Sequence, residues 1–99
     1  MEFIVSKKNS TNGSLLIITD KEILGKTFEE GKLQLDLSKD FYKGEEKSKE
    51  EVKKLIDTST HLHFTGKESV AIGIEKDLID SNKILYVQNI PHAEVLIEE

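Results

Sequence analysis

The sequence has no cysteine, no tryptophan, a single proline and a single methionine. The missing thiols exclude disulfide frameworks, thiolate zinc sites, iron–sulfur clusters and cysteine nucleophiles. Arginine is missing as well: all 14 cationic residues are lysines, against 19 acidic ones, for a net charge of −5. Forked recognition of guanine, phosphate and carboxylate favours the guanidinium group, and duplex DNA demands a basic face. General double-stranded DNA binding is therefore struck off, while a local lysine patch on a folded RNA is not. No run approaches the ~18 consecutive apolar residues of a membrane span. The opening Met1-Glu2-Phe3-Ile4-Val5-Ser6-Lys7-Lys8 reads as a strand, without the apolar core and cleavage site of a signal peptide. These absences lead us to expect a cytoplasmic protein with no membrane partner.

What is present fits one small globular domain, residues 1–99, at 36% hydrophobic and 33% charged. Residues 3–6 have a short strand pattern. Residues 7–13 form a polar turn in which Asn12-Gly13 supplies the positive-φ pair used by hairpins. Leu15-Leu16-Ile17-Ile18 is apolar without alternation, as in a central strand covered on both faces. Asp20 is placed to cap a short helical turn that closes at Leu24-Gly25. Residues 32–37 alternate, with Leu33, Leu35 and Leu37 inward, and a polar loop over 38–49 follows.

Ser48-Lys49-Glu50-Glu51 is a capping box that opens a helix with Val52, Leu55 and Ile56 along one side. Residues 60–64 alternate again. Thr65-Gly66-Lys67-Glu68 reads as a second capping box, opening a helix to about Lys76 in which Gly73 marks close packing on a sheet. Strands at 84–87 and 93–97 are separated by a break, Gln88-Asn89-Ile90-Pro91. Two main helices beside five to six strands predict an α+β fold with a mixed sheet. Within it, residues 60–87 form one βαβ unit with a right-handed crossover.

Few motifs carry chemistry. Gly25-Lys26-Thr27 imitates the end of a phosphate-binding loop, but Asp20 stands where that loop needs glycine, and a strand follows instead of a long helix. A capping glycine with an exposed lysine is the simpler reading. Gly66-Lys67 lies at a helix start, where free amides and the dipole attract anions; an ordinary capped helix start is the competing reading. There is no Gly-x-Ser-x-Gly elbow. The acidic pairs, such as Glu45-Glu46 and Glu98-Glu99, read as solvated charge.

The sharpest enzyme hypothesis uses the three histidines. His61 and His63 alternate on one strand face at the spacing of a shared metal ion, and a third ligand from His92 or a carboxylate would complete a hydrolytic site. Against it stand the frequency of solvated strand histidines and the lack of a recognised metal pattern around His92, Glu94 included. Phe41-Tyr42 could stack on a base, and is otherwise a core anchor.

An ordered set of residues resembles a known family. It comprises Leu24-Gly25-Lys26, Phe28, Glu30-Gly31, Leu33, Leu35, Phe41-Tyr42, Gly44, Gly66, Val70-Ala71 and Pro91-His92-Ala93. Together they are similar to a small archaeal family known only as domain of unknown function number four-two-four, nearly end to end. The resemblance implies a single-domain α+β protein of an archaeal cytoplasm with no agreed activity. Its pattern has Asn where His63 stands, which makes His63 particular to this chain, whereas Lys26 and His92 fall on matching positions.

The favoured expectation is a non-enzymatic binding module without a cofactor, meeting RNA, a ribonucleoprotein or a protein partner. Its candidate binding residues are Lys26, Phe41, Tyr42, Gly66, Lys67, Pro91 and His92. The alternative is a small metal- or anion-dependent enzyme using His92 with His61 and His63.

Overall fold

Leu16, Ile17 and Ile18 have no solvent-accessible surface. Each full burial of such a side chain stabilises by about 1.5–3 kcal/mol, so the segment that carries them belongs in the middle of a sheet. The computed structural model, which describes residues 2–10 and 13–97, places it there. Along the chain the elements are β1 (Glu2–Ser10), β2 (Gly13–Asp20), β3 (Thr27–Glu30), β4 (Leu33–Asp36), β5 (Glu45–Ser48), α1 (Lys49–Ile56), β6 (His61–Thr65), α2 (Lys67–Glu75), β7 (Leu85–Val87) and β8 (Ile90–Leu96). Short 3-10 turns span Lys21–Ile23, Asp40–Tyr42 and Ser81–Lys83.

A six-stranded mixed sheet runs β5-β1-β2-β6-β8-β7, and β3-β4 form a separate hairpin. The parallel pair among the described strands is β2 with β6. β8 is antiparallel to both β6 and β7. β6 and β7 therefore run the same way with β8 between them, and α2 crosses over that intervening strand. The fold is α+β, as expected. No helix among the described residues is long and apolar enough to cross a membrane.

Alternation assigns the two faces of the sheet. One face presents Phe3, Val5, Leu16, Ile18, Leu62 and Phe64, which pack with Val52 and Ile56 of α1 and Val70 and Ile72 of α2. The other face carries a smaller apolar cluster at one end, in which Leu35, Leu37 and Val87 pack with Ile23, Phe28, Tyr42 and Ile90. There the β3-β4 hairpin closes over the β7-β8 turn. The backbone N–H of Gln88 donates to Glu30 Oε1 (2.8 Å), and its side-chain amide donates to the Glu29 carbonyl (2.7 Å).

Several expectations are corrected. β1 does not stop at Ser6, because Lys7, Lys8 and Asn9 pair with Leu16, Leu15 and Ser14. Asn12 of the expected hairpin turn lies outside the described residues, as do Glu98 and Glu99; Gly13 opens β2 at φ 122°. The polar loop over 38–49 contains an edge strand, β5, paired with β1. The break at 88–91 is shorter than expected: Gln88 and Asn89, both at positive φ, make a two-residue turn, and Ile90 and Pro91 already belong to β8. Leu33 is 41% exposed, whereas Leu35 and Leu37 are buried.

The two capping boxes part ways. At α1 the box forms: Ser48 Oγ accepts from Glu51 N, and the Glu51 carboxylate accepts from Ser48 N. At α2 it does not, since the N-cap residue is Gly66 at φ 108°, with no side chain to offer. Asp20, expected to cap its own turn, reaches across and caps α2 instead. Its carboxylate accepts from Glu68 N (3.0 Å), Ser69 N (2.8 Å) and Ser69 Oγ (2.6 Å).

Candidate metal centre

Two neighbouring strands carry the same spacing of ligand-bearing residues, His61-Leu62-His63 on β6 and His92-Ala93-Glu94 on β8. Residues two apart in a strand share a face. The antiparallel register sets His63 opposite Glu94 and Thr65 opposite His92. All four potential ligands thus project from the face away from the helices. The His61 and His63 ring centroids are 5.1 Å apart, and those of His63 and His92 are 5.8 Å apart.

The ligating atoms of His61, His63 and Glu94 lie within 4.8 Å of one another. His63 Nδ1 and His92 Nε2 both face Glu94 Oε1, at 3.7 and 4.0 Å. These separations are too long for hydrogen bonds. A tetrahedral ion with bonds of ~2.0–2.2 Å spaces its ligand atoms about 3.4 Å apart. Both Glu94 contacts lie within about 0.6 Å of that edge. The Glu94 side chain is 58% exposed, whereas the His63 and His92 side chains are only 13% and 15% exposed.

Among the described residues, two buried side-chain polar atoms lack a hydrogen-bond partner, Thr19 Oγ1 and His63 Nδ1. Both belong to this face, since Thr19 neighbours Thr65 in the β2-β6 register. An unpaired buried polar atom costs about 1–3 kcal/mol, and His63 Nδ1 is left in that state facing Glu94. Burial pushes the His63 imidazole below its ordinary pKa; Glu94 opposes the shift, while His92 and His61 add to it. Burial also lowers His92, again opposed by Glu94. Both rings are therefore neutral at neutral pH, the form that coordinates metals. Burial, with the Asp36 and Glu94 carboxylates, raises the Tyr42 hydroxyl pKa and keeps it protonated.

The other candidate residues are distributed around this cluster. Phe41 packs edge-on against both His63 and Tyr42, at 5.5 and 5.1 Å between centroids, and the Lys8 ammonium lies 5.7 Å from the centre of its ring. Tyr42 belongs to the smaller apolar cluster. Lys26 is exposed at the base of the β3-β4 hairpin, where its backbone carbonyl accepts from Leu37 N. Pro91 is buried in β8, and its carbonyl accepts from Gly66 N. Gly66 and Lys67 begin α2, whose amides at Glu68 and Ser69 are already taken by Asp20. The cleft of about 230 Å³ beside them is lined in part by Asp20, Glu22 and Glu68, which repel an anion.

Sequence reasoning gathered His61, His63 and His92, allowed a carboxylate as third ligand but set Glu94 aside for want of a recognised pattern, and did not connect Thr65 with the site. The usable signal was the His-x-Glu spacing on β8, which repeats the His-x-His spacing on β6; what the sequence does not print is the register that puts them opposite each other.

The family model described as "Protein of unknown function (DUF424)" matches residues 8–97. No curated protein matches the sequence. The fold is similar to the crystal structure of an uncharacterized conserved protein from Methanopyrus kandleri, with a TM-score of 0.82 at 17% sequence identity, over 100% of this chain and 96% of that one.

Proposed function

Taking as premise that this chain belongs to the DUF424 family, we propose that it is a metal-binding module in which His61, His63 and Glu94 hold one divalent ion of the zinc type. The observation that carries this reading is the buried, unpaired His63 Nδ1 set among His61 and Glu94 with all ligating atoms within 4.8 Å. Two imidazoles with one carboxylate suit Zn²⁺ and its later first-row neighbours, whereas Mg²⁺ and Ca²⁺ demand oxygen. An RNA or protein face built from Lys26, Phe41, Tyr42 and His92 has weaker support. Tyr42 is committed to an apolar cluster, and Lys8 already sits over the Phe41 ring.

The test is a zinc titration of tag-free, metal-stripped protein against a competing chelator. One ion per chain is expected, with affinity lost in His63→Asn and in Glu94→Gln while the circular dichroism spectrum is retained. A wild-type protein that holds no zinc at micromolar concentration overturns the reading, as does undiminished affinity in both variants.

A further inference from the structure

Among the described residues, His92 is the one histidine whose orientation is fixed by a hydrogen bond. Its Nδ1 lies 2.8 Å from Thr65 Oγ1, and Thr65 is completely buried. A ring anchored at Nδ1 has its other nitrogen directed away from the anchor, and here Nε2 faces Glu94 Oε1 at 4.0 Å, beside the His63 ring. Metal-bound histidines characteristically donate the non-ligating N–H to an oxygen behind them, which fixes the tautomer that leaves the other nitrogen's lone pair on the ion.

We infer that His92, although outside the group of three whose ligand atoms all lie within 4.8 Å of one another, is a fourth protein ligand of the ion through Nε2, reached as the exposed Glu94 side chain turns inward, and that Thr65 is the residue that positions it. This rests on the metal reading above and goes further. Three imidazoles and one carboxylate fill a tetrahedron and leave no open position for water. Closed four-coordinate sites serve structure, whereas hydrolytic sites keep one position open. The ion then joins β6, which supplies His61 and His63, to β8, which supplies His92 and Glu94. It binds no substrate.

Cobalt substitution tests this, because a Co²⁺ ion held in a closed tetrahedron absorbs strongly in the visible, and expansion to five or six ligands by entering water weakens the band. Wild-type protein is expected to give the intense spectrum, and His92→Ala the weak one. Thr65→Val, which keeps the side-chain shape and removes the oxygen, is expected to lower affinity ~10–100-fold, with Thr65→Ser restoring most of it. The valine variant carries the test by itself if His92→Ala does not fold. A wild-type spectrum that is weak, or affinity in Thr65→Val within about twofold of wild type, overturns the inference and leaves a three-ligand site standing. Wild-type protein that takes up neither cobalt nor zinc overturns the inference and the metal reading together.

Discussion

Asp20 and Gly66 are understood only as a pair. Gly66 approaches the Asp20 carboxyl so closely that a Cβ there would collide with it, and its φ of 108° is one that L side chains rarely adopt. The glycine thus makes room for a carboxylate from another strand to do the work of a missing N-cap side chain. Asp20→Ala removes three hydrogen bonds and leaves the fully buried Ser69 hydroxyl without its acceptor. A lost cap costs about 0.5–2 kcal/mol and an orphaned buried hydroxyl about 1–3. We expect a loss of about 2 kcal/mol in urea denaturation, and a loss under about 0.5 kcal/mol, the level of an ordinary surface change, would contradict this role. Gly66→Ala is expected to destabilise by ~1–3 kcal/mol or more, the cost of a backbone conformation essentially confined to glycine.

At the scale of elements, α1 is held at its N-terminus and along its exposed flank. Its N-terminus has the Ser48-Glu51 box, and its exposed flank has Lys49 and Lys53 reaching Glu75 at the end of α2, at 3.3 and 3.1 Å. Hydrogen bonds from Ser48 hold the Glu51 carboxyl below its ordinary 4.5, and the two lysines do the same for Glu75. A folded-state pKa below the unfolded one gives stability that is present above the unfolded value and lost as pH falls through the folded one. The urea midpoint should therefore be insensitive to these groups above pH 5 and should decline below about 4.5. The double variant Glu51→Gln, Glu75→Gln should show a shallower acid decline; an unchanged slope would count against both contacts.

The edge strand β5 depends on Gly44, where a Cβ would run into the Val5 carbonyl. Gly44→Ala should push β5 from β1 at a cost of ~1–3 kcal/mol, the usual range for overpacking, with faster amide exchange at residues 45–48 as its local signature. These same elements mark the limit of what the sequence reveals. β2 and α1 were legible because burial and capping are written in adjacent residues. β5, Glu45-Glu46-Lys47-Ser48, has no apolar side chain and is a strand only because β1 lends it hydrogen bonds. β3 fails for a similar reason, with Phe28 its single apolar residue. The cap of α2 was misread because its acceptor comes from 48 residues earlier in the chain.

For the molecule as a whole, the two sheet faces divide the labour. The helix-covered face builds the larger core, and the opposite face gathers His61, His63, His92, Glu94 and, among the described residues, the unpaired Thr19 Oγ1. The histidine partnership was visible as alternation, but Glu94 joins it through register, a property of the folded sheet and not of any local segment. A ligand that binds only the folded state stabilises by mass action, so zinc at 100 times its dissociation constant should add about 2.7 kcal/mol and raise the midpoint of thermal unfolding by roughly 10 °C or more. X-ray absorption at the zinc edge of the loaded protein examines the site most directly. We expect a shell of four nitrogen or oxygen atoms at about 2.0–2.1 Å with the outer scattering of imidazole rings. Six oxygens without imidazole scattering would contradict the assignment.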